Sequence, residues 1–330
     1  MKVDVHAVEA ELARIQRELT SSEVRTSLFN LVVLSSDVHR AQADEALTYL
    51  LGKRAARVIH VVAEDTDESR LEVSARCTVD DDRKGVCFQE IVITNGRDQA
   101  GGAIGTWAPL LVRDIPTYVL WLDAITGREA LFENAITQVD KLIIDSERAE
   151  ELGEDPEHVL HSLRRTVSDQ NVPVADFAWK RLRPFRQLAA DAFAQAPELL
   201  DTIARVQLSG LGSVAARLFG LWLAERLGWS PSASDAEGDR YVATGGRGIS
   251  VQRLEREPEC DQQVSFHLAD GSSIDLLTYE SGCADIDFAD GREKRQNIAT
   301  PSAGEILLEE VDAVYADSLY KAALAGIPND

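Results

Sequence analysis

The sequence predicts an α/β protein: an N-terminal domain with a mixed, largely parallel sheet, then helices and an α+β C-terminal domain with an antiparallel sheet. Three observations predict it. Short, continuous apolar runs alternate with helix-length amphipathic segments as far as residue 145, as strands covered on both faces and joined by crossover helices do. Strong helical stripes follow up to Gly228. From Tyr241 the pattern turns to short alternating strands punctuated by Asp270-Gly271 and Asp290-Gly291, the signature of tight turns between antiparallel neighbours. The expected domains are 1–170 (α/β) and 171–330 (helical segment plus antiparallel α+β).

Taken in order, residues 8–19 place Val8, Leu12, Ile15 and Leu19 on one helical face. Leu28–Leu34 (LFNLVVL) reads as a buried strand interrupted only by Asn30. Ser35-Ser36-Asp37 offers N-caps for a helix over Val38–Lys53, with Gly52 near its end. Val58–Ala63 is the next strand. Leu71–Val79 and Val86–Thr94 form a hairpin around Asp80-Asp81-Asp82-Arg83-Lys84-Gly85, placed at one edge of the sheet.

The chain is organised around residues 101–146. A small helix within Ala103–Val112 leads to the corner Arg113-Asp114 ahead of Pro116. A strand (Thr117–Leu122), a helix (about Arg128–Ala135) and a second strand (Lys141–Asp145) make a βαβ unit, whose loop ends are the usual place for a ligand or partner. The stretch has no glycine-rich phosphate fingerprint, nucleophile elbow or metal-ligand pair. A scaffold is predicted here, with no visible reaction centre.

Further on, Glu157–Val167 is helical, and Val174–Gln195 carries a longer apolar stripe that Pro184 must kink or break. Gly210–Gly228 reads as a helix, Ser230–Asp239 as a linker or loop, and Ala303–Ala325 as a last helix.

The formal net charge of −22 argues against nucleic acid, whose phosphates demand cations, and against an anionic membrane surface. With no run of 18 apolar residues and no basic-then-apolar leader, the expectation is a soluble, cytoplasmic protein. Cys77, Cys87, Cys260 and Cys283 form no CxxC and are expected as buried thiols in a reducing compartment, although Cys77 and Cys87 flank the hairpin turn and can face each other across it.

Few residues invite chemistry. His158 and His161 are three apart on a helix and are read as structural, because no carboxylate-rich partner motif accompanies them. Gly101-Gly102 is no phosphate loop by pattern, and the pair in TGGRGIS opens a strand where a P-loop must open a helix. Asp114 is a strand-end carboxylate or, as favoured, a turn-former. Arg164, Arg165, Lys180, Arg181, Arg183 and Arg186 cluster in a strongly acidic chain. Helical spacing lines up Trp179, Arg183 and Arg186 so that guanidinium can stack on indole and grip an anion or a partner. The alternative is a solvated helical face of pairs such as Asp176–Lys180.

The blocks LFNLVVL, PLLVRDIPTYVLW, KLIIDS and VADFAWKRLRPFRQLAADAF, in this order and spacing, resemble the OpcA family, the assembly proteins of bacterial glucose-6-phosphate dehydrogenase. The resemblance runs from about Arg25 to about Phe193 and continues more weakly to the C-terminus. The family corner reads P-D-x-P and its strand ends in a double Trp. Asp114, Pro116 and Trp121 match that pattern; Arg113 and Leu120 depart from it. The resemblance implies a non-catalytic subunit without a cofactor that binds the dehydrogenase, promotes its active oligomer and raises its activity. Asp114, Pro116, Trp121, Trp179, Arg181, Arg183 and Arg186 are the expected contact surface. The family's thioredoxin control through cysteines has no counterpart that maps onto the four cysteines here. The rival expectation is a sugar-phosphate-binding enzyme or sensor using the α/β cleft near Asp114 and Trp121.

Overall fold

The structure, a computed structural model, describes residues 4–19, 27–64, 69–79, 85–95, 104–235, 238–255, 260–313 and 315–328. The helices are α1 (Val5–Leu19), α2 (Arg40–Leu50), α3 (Ile104–Trp107), α4 (Glu129–Ile136), α5 (Pro156–Ser168), α6 (Phe177–Arg181), α7 (Arg183–Ala194), α8 (Ser213–Leu227), α9 (Ala303–Asp312) and α10 (Ser318–Leu324). The strands are β1 (Phe29–Ser36), β2 (Ala56–Ala63), β3 (Arg70–Val79), β4 (Gly85–Asn95), β5 (Thr117–Trp121), β6 (Lys141–Ile144), β7 (Val174–Asp176) and β8 (Ile203–Ser209). They continue with β9 (Ser230–Asp235), β10 (Gly238–Val242), β11 (Gly248–Leu254), β12 (Gln262–Leu268), β13 (Ser273–Tyr279), β14 (Cys283–Asp287) and β15 (Glu293–Asn297).

Two compact units result, and they interleave along the chain. One takes Met1–Asp145, Gln170–Asp176 and Ser302–Ala316; the other takes Ser146–Asp169, Phe177–Pro301 and Asp317–Asp330. The sequence expectation instead drew a single break after residue 170.

In the first unit a seven-stranded sheet runs β3-β4-β2-β1-β5-β6-β7. Every neighbouring pair is parallel except the β3–β4 hairpin at the edge, so the mixed, largely parallel sheet forms as the apolar runs require. Leu31, Val32, Val33, Val58, Ile59, Val119, Leu120 and Ile143 are wholly buried in it. Asn30, the one interruption of the first run, is buried too and has a reason to be there. Its amide donates to the Val112 carbonyl (2.9 Å) and Thr117 Oγ1 (3.1 Å) and accepts from the Val112 N–H (2.9 Å), tying β1 to the segment ahead of Pro116. Register sets Cys77 opposite Cys87 in the hairpin; its turn, residues 80–84, and the Gly101-Gly102 pair lie outside the described residues.

Several local expectations are corrected. On α1 the buried line is Val8, Leu12 and Gln16, with Ile15 only half-buried. Ser36 precedes a short 3-10 turn without capping it; its hydroxyl bonds His39 Nδ1 at 2.7 Å. Val174–Asp176 carries helical spacing yet forms β7, because parallel pairing with Leu142–Ile144 satisfies its backbone. The helix break falls at Leu182, which leaves Pro184 in the first turn of α7, where its missing N–H has no helical partner to lose. The last helix is two: Ser302 and Glu305 form a capping box for α9, and Asp317 caps α10 through the Leu319 and Tyr320 amides. Gly304 lets α9 close on α2, since a Cβ there would lie 2.5 Å from that of Tyr49.

The second unit is built on an eight-stranded sheet, β15-β14-β13-β12-β8-β11-β10-β9. It is antiparallel except where β11 runs parallel to β8, so the expected antiparallel sheet is a mixed one. Its central strand β8 had no counterpart in the sequence reading, and Ser230–Asp239, read as a linker or loop, supplies β9 and the start of β10. Both segments lack strong alternation and are held by cross-strand pairing. Gly228 ends α8 in the left-handed region, φ 66°, as a helix-terminating glycine does.

Candidate functional site

Asp114, Pro116 and Trp121 belong to the first unit, and Trp179, Arg181, Arg183 and Arg186 to the second. Asp114 is an exposed turn residue with φ 64°, a conformation Asp tolerates better than most. Pro116 is exposed just before β5, and Trp121 closes the other end of that strand. Five strand residues at about 3.3 Å each separate the two ends by about 16 Å. Asp114 and Trp121 therefore do not line one cleft, which corrects the location expected for a sugar-phosphate site.

Trp121 is only 1% exposed. Its indole N–H donates to the Asp123 carbonyl at 2.6 Å, and its ring meets Phe132 of α4 edge-on at 5.0 Å. Beyond it, Asp123 pairs with Arg128 at 2.5 Å in the loop leaving β5. This loop and the one after β1 leave the sheet in opposite directions, the topology at which α/β folds open a crevice. Below the crevice Ser35 Oγ and His60 Nε2 bond at 2.8 Å, with Asp44 Oδ1 3.9 Å from His60 Nδ1. Burial first, and then Arg40, pushes the imidazole down to about 4, so it is neutral at pH 7. Ser35 and His60 are both buried, as a structural pair is.

At the opposite end of the same sheet, Arg57 is buried at the start of β2. It donates to Gln89 Oε1 (2.9 Å), to the Leu110 carbonyl (3.1 Å) and to the carboxylate of Glu9. A cavity of about 450 Å³ opens there between α1 and the segment Leu111–Val112.

In the second unit the structure brings four predicted residues together, with Asp317. Trp179 is also 1% exposed, so its ring is not a contact surface. Arg186 lies 3.6 Å over that ring and donates to the Trp179 carbonyl at 2.8 Å, the stacking that helical spacing predicted. Behind it Trp179 meets Tyr320 at 5.4 Å, and its indole N–H donates to Asp317 Oδ2 at 2.9 Å. Burial lowers the Arg186 guanidinium to about 10 against the opposing pull of Asp317, with Arg183 adding to the depression; it stays cationic at pH 7. Burial raises the Asp317 carboxyl, but the Tyr320 amide, the Trp179 indole and Lys180 outweigh it and hold the group below its ordinary range. Arg181 pairs with Glu147 at 3.0 Å, and Lys180, Arg181 and Arg183 are all half-buried. The result is a fixed cationic ridge on a packed aromatic base.

Sequence reasoning missed Asp317, Glu147, Ser35 and His60 as members of these clusters. His60 had a signal, a lone polar residue inside VIHVVA. Asp317 and Glu147 had none, because their partners are distant in sequence. Among the described residues no three His, Cys, Asp or Glu converge as metal ligands, and no helix is long and apolar enough to cross a membrane.

Two family models match the chain: the glucose-6-phosphate dehydrogenase subunit N-terminal domain over residues 48–165, and the C-terminal domain of the same subunit over residues 172–324. Among curated proteins, one from Synechococcus elongatus, provisionally described as the OxPP cycle protein OpcA, is 26% identical over 294 residues, covering 78% of this chain and 63% of its own length. A protein of the same description from Nostoc punctiforme is 30% identical over 197 residues, covering 58% of this chain and 41% of its own. The chain thus matches less than two thirds of the length of these relatives. Among solved structures, a dehydrogenase from Chromobacterium violaceum (10% identical, TM-score 0.44) aligns over 91% of this chain and 93% of its own. An NAD binding oxidoreductase from Klebsiella pneumoniae (11% identical, TM-score 0.44) aligns over 91% and 94%. Likeness at that level says nothing about chemistry.

Proposed function

Because the chain belongs to the OpcA family of glucose-6-phosphate dehydrogenase subunits, we propose that it is a non-catalytic accessory subunit that binds glucose-6-phosphate dehydrogenase in the cytoplasm and favours that enzyme's active oligomer. The observation that carries this reading is that both domain models of one dehydrogenase subunit match, in order, along this chain. The relatives' description as OxPP cycle proteins supports the same pathway, oxidative pentose phosphate metabolism.

Activation by a bound protein requires differential affinity for two states of the enzyme. A rigid surface serves this best, because little ordering entropy is lost on binding. The ridge of Lys180, Arg181 and Arg183 has that property. Its backbone is fixed from below by Trp179, Arg186 and Asp317, and it offers cations from a chain whose net charge is −22. The exposed corner Asp114–Pro116 is the proposed contact in the other unit. Trp179 packs beneath the ridge and helps set its shape, whereas Trp121 packs against Phe132 at the far end of β5 and belongs to neither surface.

Calorimetric titration of the chain into the dehydrogenase from the same organism tests the reading. The native chain should bind, and Arg181→Glu with Arg183→Glu should weaken binding at least tenfold. Unchanged affinity in that variant removes the ridge from the contact; no binding by the native chain removes the function.

A further inference from the structure

The sheet of the second unit carries α7 and α8 on one face. Phe193 of α7 meets Phe266 of β12 edge-on at 5.1 Å, and Gly220 of α8 lies against Val251 and Tyr241. Alternate residues project from the other face, where Glu293, Arg295, Arg205, Arg240 and Val242 are exposed.

Register orders that face. Glu293, Asp287, Asp275, Ser265, Gln207 and Gln252 form one row across six strands. The adjacent row holds Ser273, His267, Arg205, Ser250 and Arg240 on β13, β12, β8, β11 and β10. Charge is therefore segregated. Asp275, Asp285, Asp287 and Glu293 lie at the β13–β15 end, where Arg295 is already held by both oxygens of Asp285 (2.7 and 2.6 Å). Arg205 and Arg240 lie at the β8–β10 end.

Carboxylates directly opposite one another on neighbouring strands repel. Burial first, then Glu293, Asp275 and Asp285, raises the Asp287 carboxyl, which registers that repulsion. A positive surface laid over this end would relieve it, and the far end of the same face is such a surface.

We propose that this sheet face is the interface between two copies of the chain, related by a two-fold axis that runs along the strands near the β8–β12 boundary. That axis lays Asp287 and Glu293 on β14 and β15 of each copy over the β10 end of the other, where Arg240 lies, the self-complementarity an isologous contact requires. Ser265 and Gln207 flank the axis on either side, so each faces the other residue of the second copy, polar side chain against polar side chain. Eight strands at about 4.8 Å and some six residues at about 3.3 Å give a face on the order of 700 Å². That is close to the roughly 800 Å² per partner of a stable interface. The surface is distinct from the ridge assigned to the dehydrogenase, so the inference does not depend on that reading.

Sedimentation velocity of the full chain at micromolar concentration tests it. The native chain should be a dimer. An acid-reversed variant (Asp287→Lys, Glu293→Lys) and a base-reversed variant (Arg205→Glu, Arg240→Glu) should each self-associate at least tenfold more weakly. Mixed one to one, they should pair again, which only folded protein can do. A monomeric native chain overturns the proposal, as do variants that remain dimeric or fail to pair when mixed. Cross-links from this face to the dehydrogenase in place of a second copy overturn it as well.

Discussion

The indole N–H of Trp179 donates to the carboxylate of Asp317 at 2.9 Å, joining two residues 138 apart in the chain. The same carboxylate accepts the Leu319 and Tyr320 amides through its other oxygen. One side chain thus caps α10 and anchors the aromatic base of the cationic ridge.

Asp317→Ala should therefore cost more than a helix cap alone. Loss of a cap costs about 1 kcal/mol, and a buried indole N–H left without a partner about 1–3 kcal/mol more. Denaturant unfolding should show a drop of about 2–4 kcal/mol, with a smaller drop for Asp317→Asn, which keeps an oxygen for the cap. A loss under 1 kcal/mol for the alanine variant would show that the bond to Trp179 contributes little.

Arg186→Lys keeps a cation but loses the planar group stacked on Trp179. Two consequences are expected: stability lower by about 1–2 kcal/mol, and weaker binding to the dehydrogenase although Arg181 and Arg183 are intact. Calorimetry beside unfolding separates them. Native affinity in a destabilised variant would mean that the stack does not shape the ridge.

His60 gives the first unit a pH dependence with a defined sign. Its folded pKa is about 4 against an ordinary value of 6.5, so below pH 6.5 the unfolded chain takes up a proton that the folded chain refuses. Stability contributed by the neutral imidazole is complete above that pH and is lost as pH falls toward 4, on the order of 3 kcal/mol in all. His60→Gln should flatten the unfolding free energy between pH 4 and 6.5 relative to native; an unchanged slope would exclude His60 as its source.

Lys141 and Glu310 are buried together, and the ammonium also donates to the Glu310 and Ala313 carbonyls at 3.0 and 2.9 Å. Arg54 grips Asp312 beside them at 2.6 and 2.5 Å. The segment Ser302–Ala316 is thus part of the first unit's core. Lys141→Met should cost about 3–5 kcal/mol by stranding Glu310, whereas Lys141→Met with Glu310→Met should recover most of it. A fragment of residues 1–170 lacks these partners and should be aggregated or unfolded by circular dichroism. A cooperatively folded fragment would contradict that assignment.

How much of this was legible in the sequence follows from where the partners lie. The β1–β2, β5–β6 and hairpin strands were readable because their apolar runs, turn residues and crossover helices are contiguous in sequence. Arg186 over Trp179 was readable because Leu182 keeps helical dihedrals across the break between α6 and α7, so seven residues still amount to about two helical turns. Val174–Asp176 was not, since three residues of β7 owe their state to β6, some thirty positions away. The same holds for β8 and β9, whose pairing is set by distant strands, and for Asp317, which no local pattern links to Trp179. Full burial of both tryptophans was equally invisible, because an aromatic residue beside arginines reads as a contact surface until the α10 cap and the α4 packing are seen.

The most direct test of the central claim is the rate of the dehydrogenase from the same organism, with and without this chain, with mass measured by light scattering on the same mixtures. A higher rate together with a larger complex containing both proteins is expected, and both effects should be lost with Arg181→Glu and Arg183→Glu. An unchanged rate and separate elution of the two native proteins would contradict it.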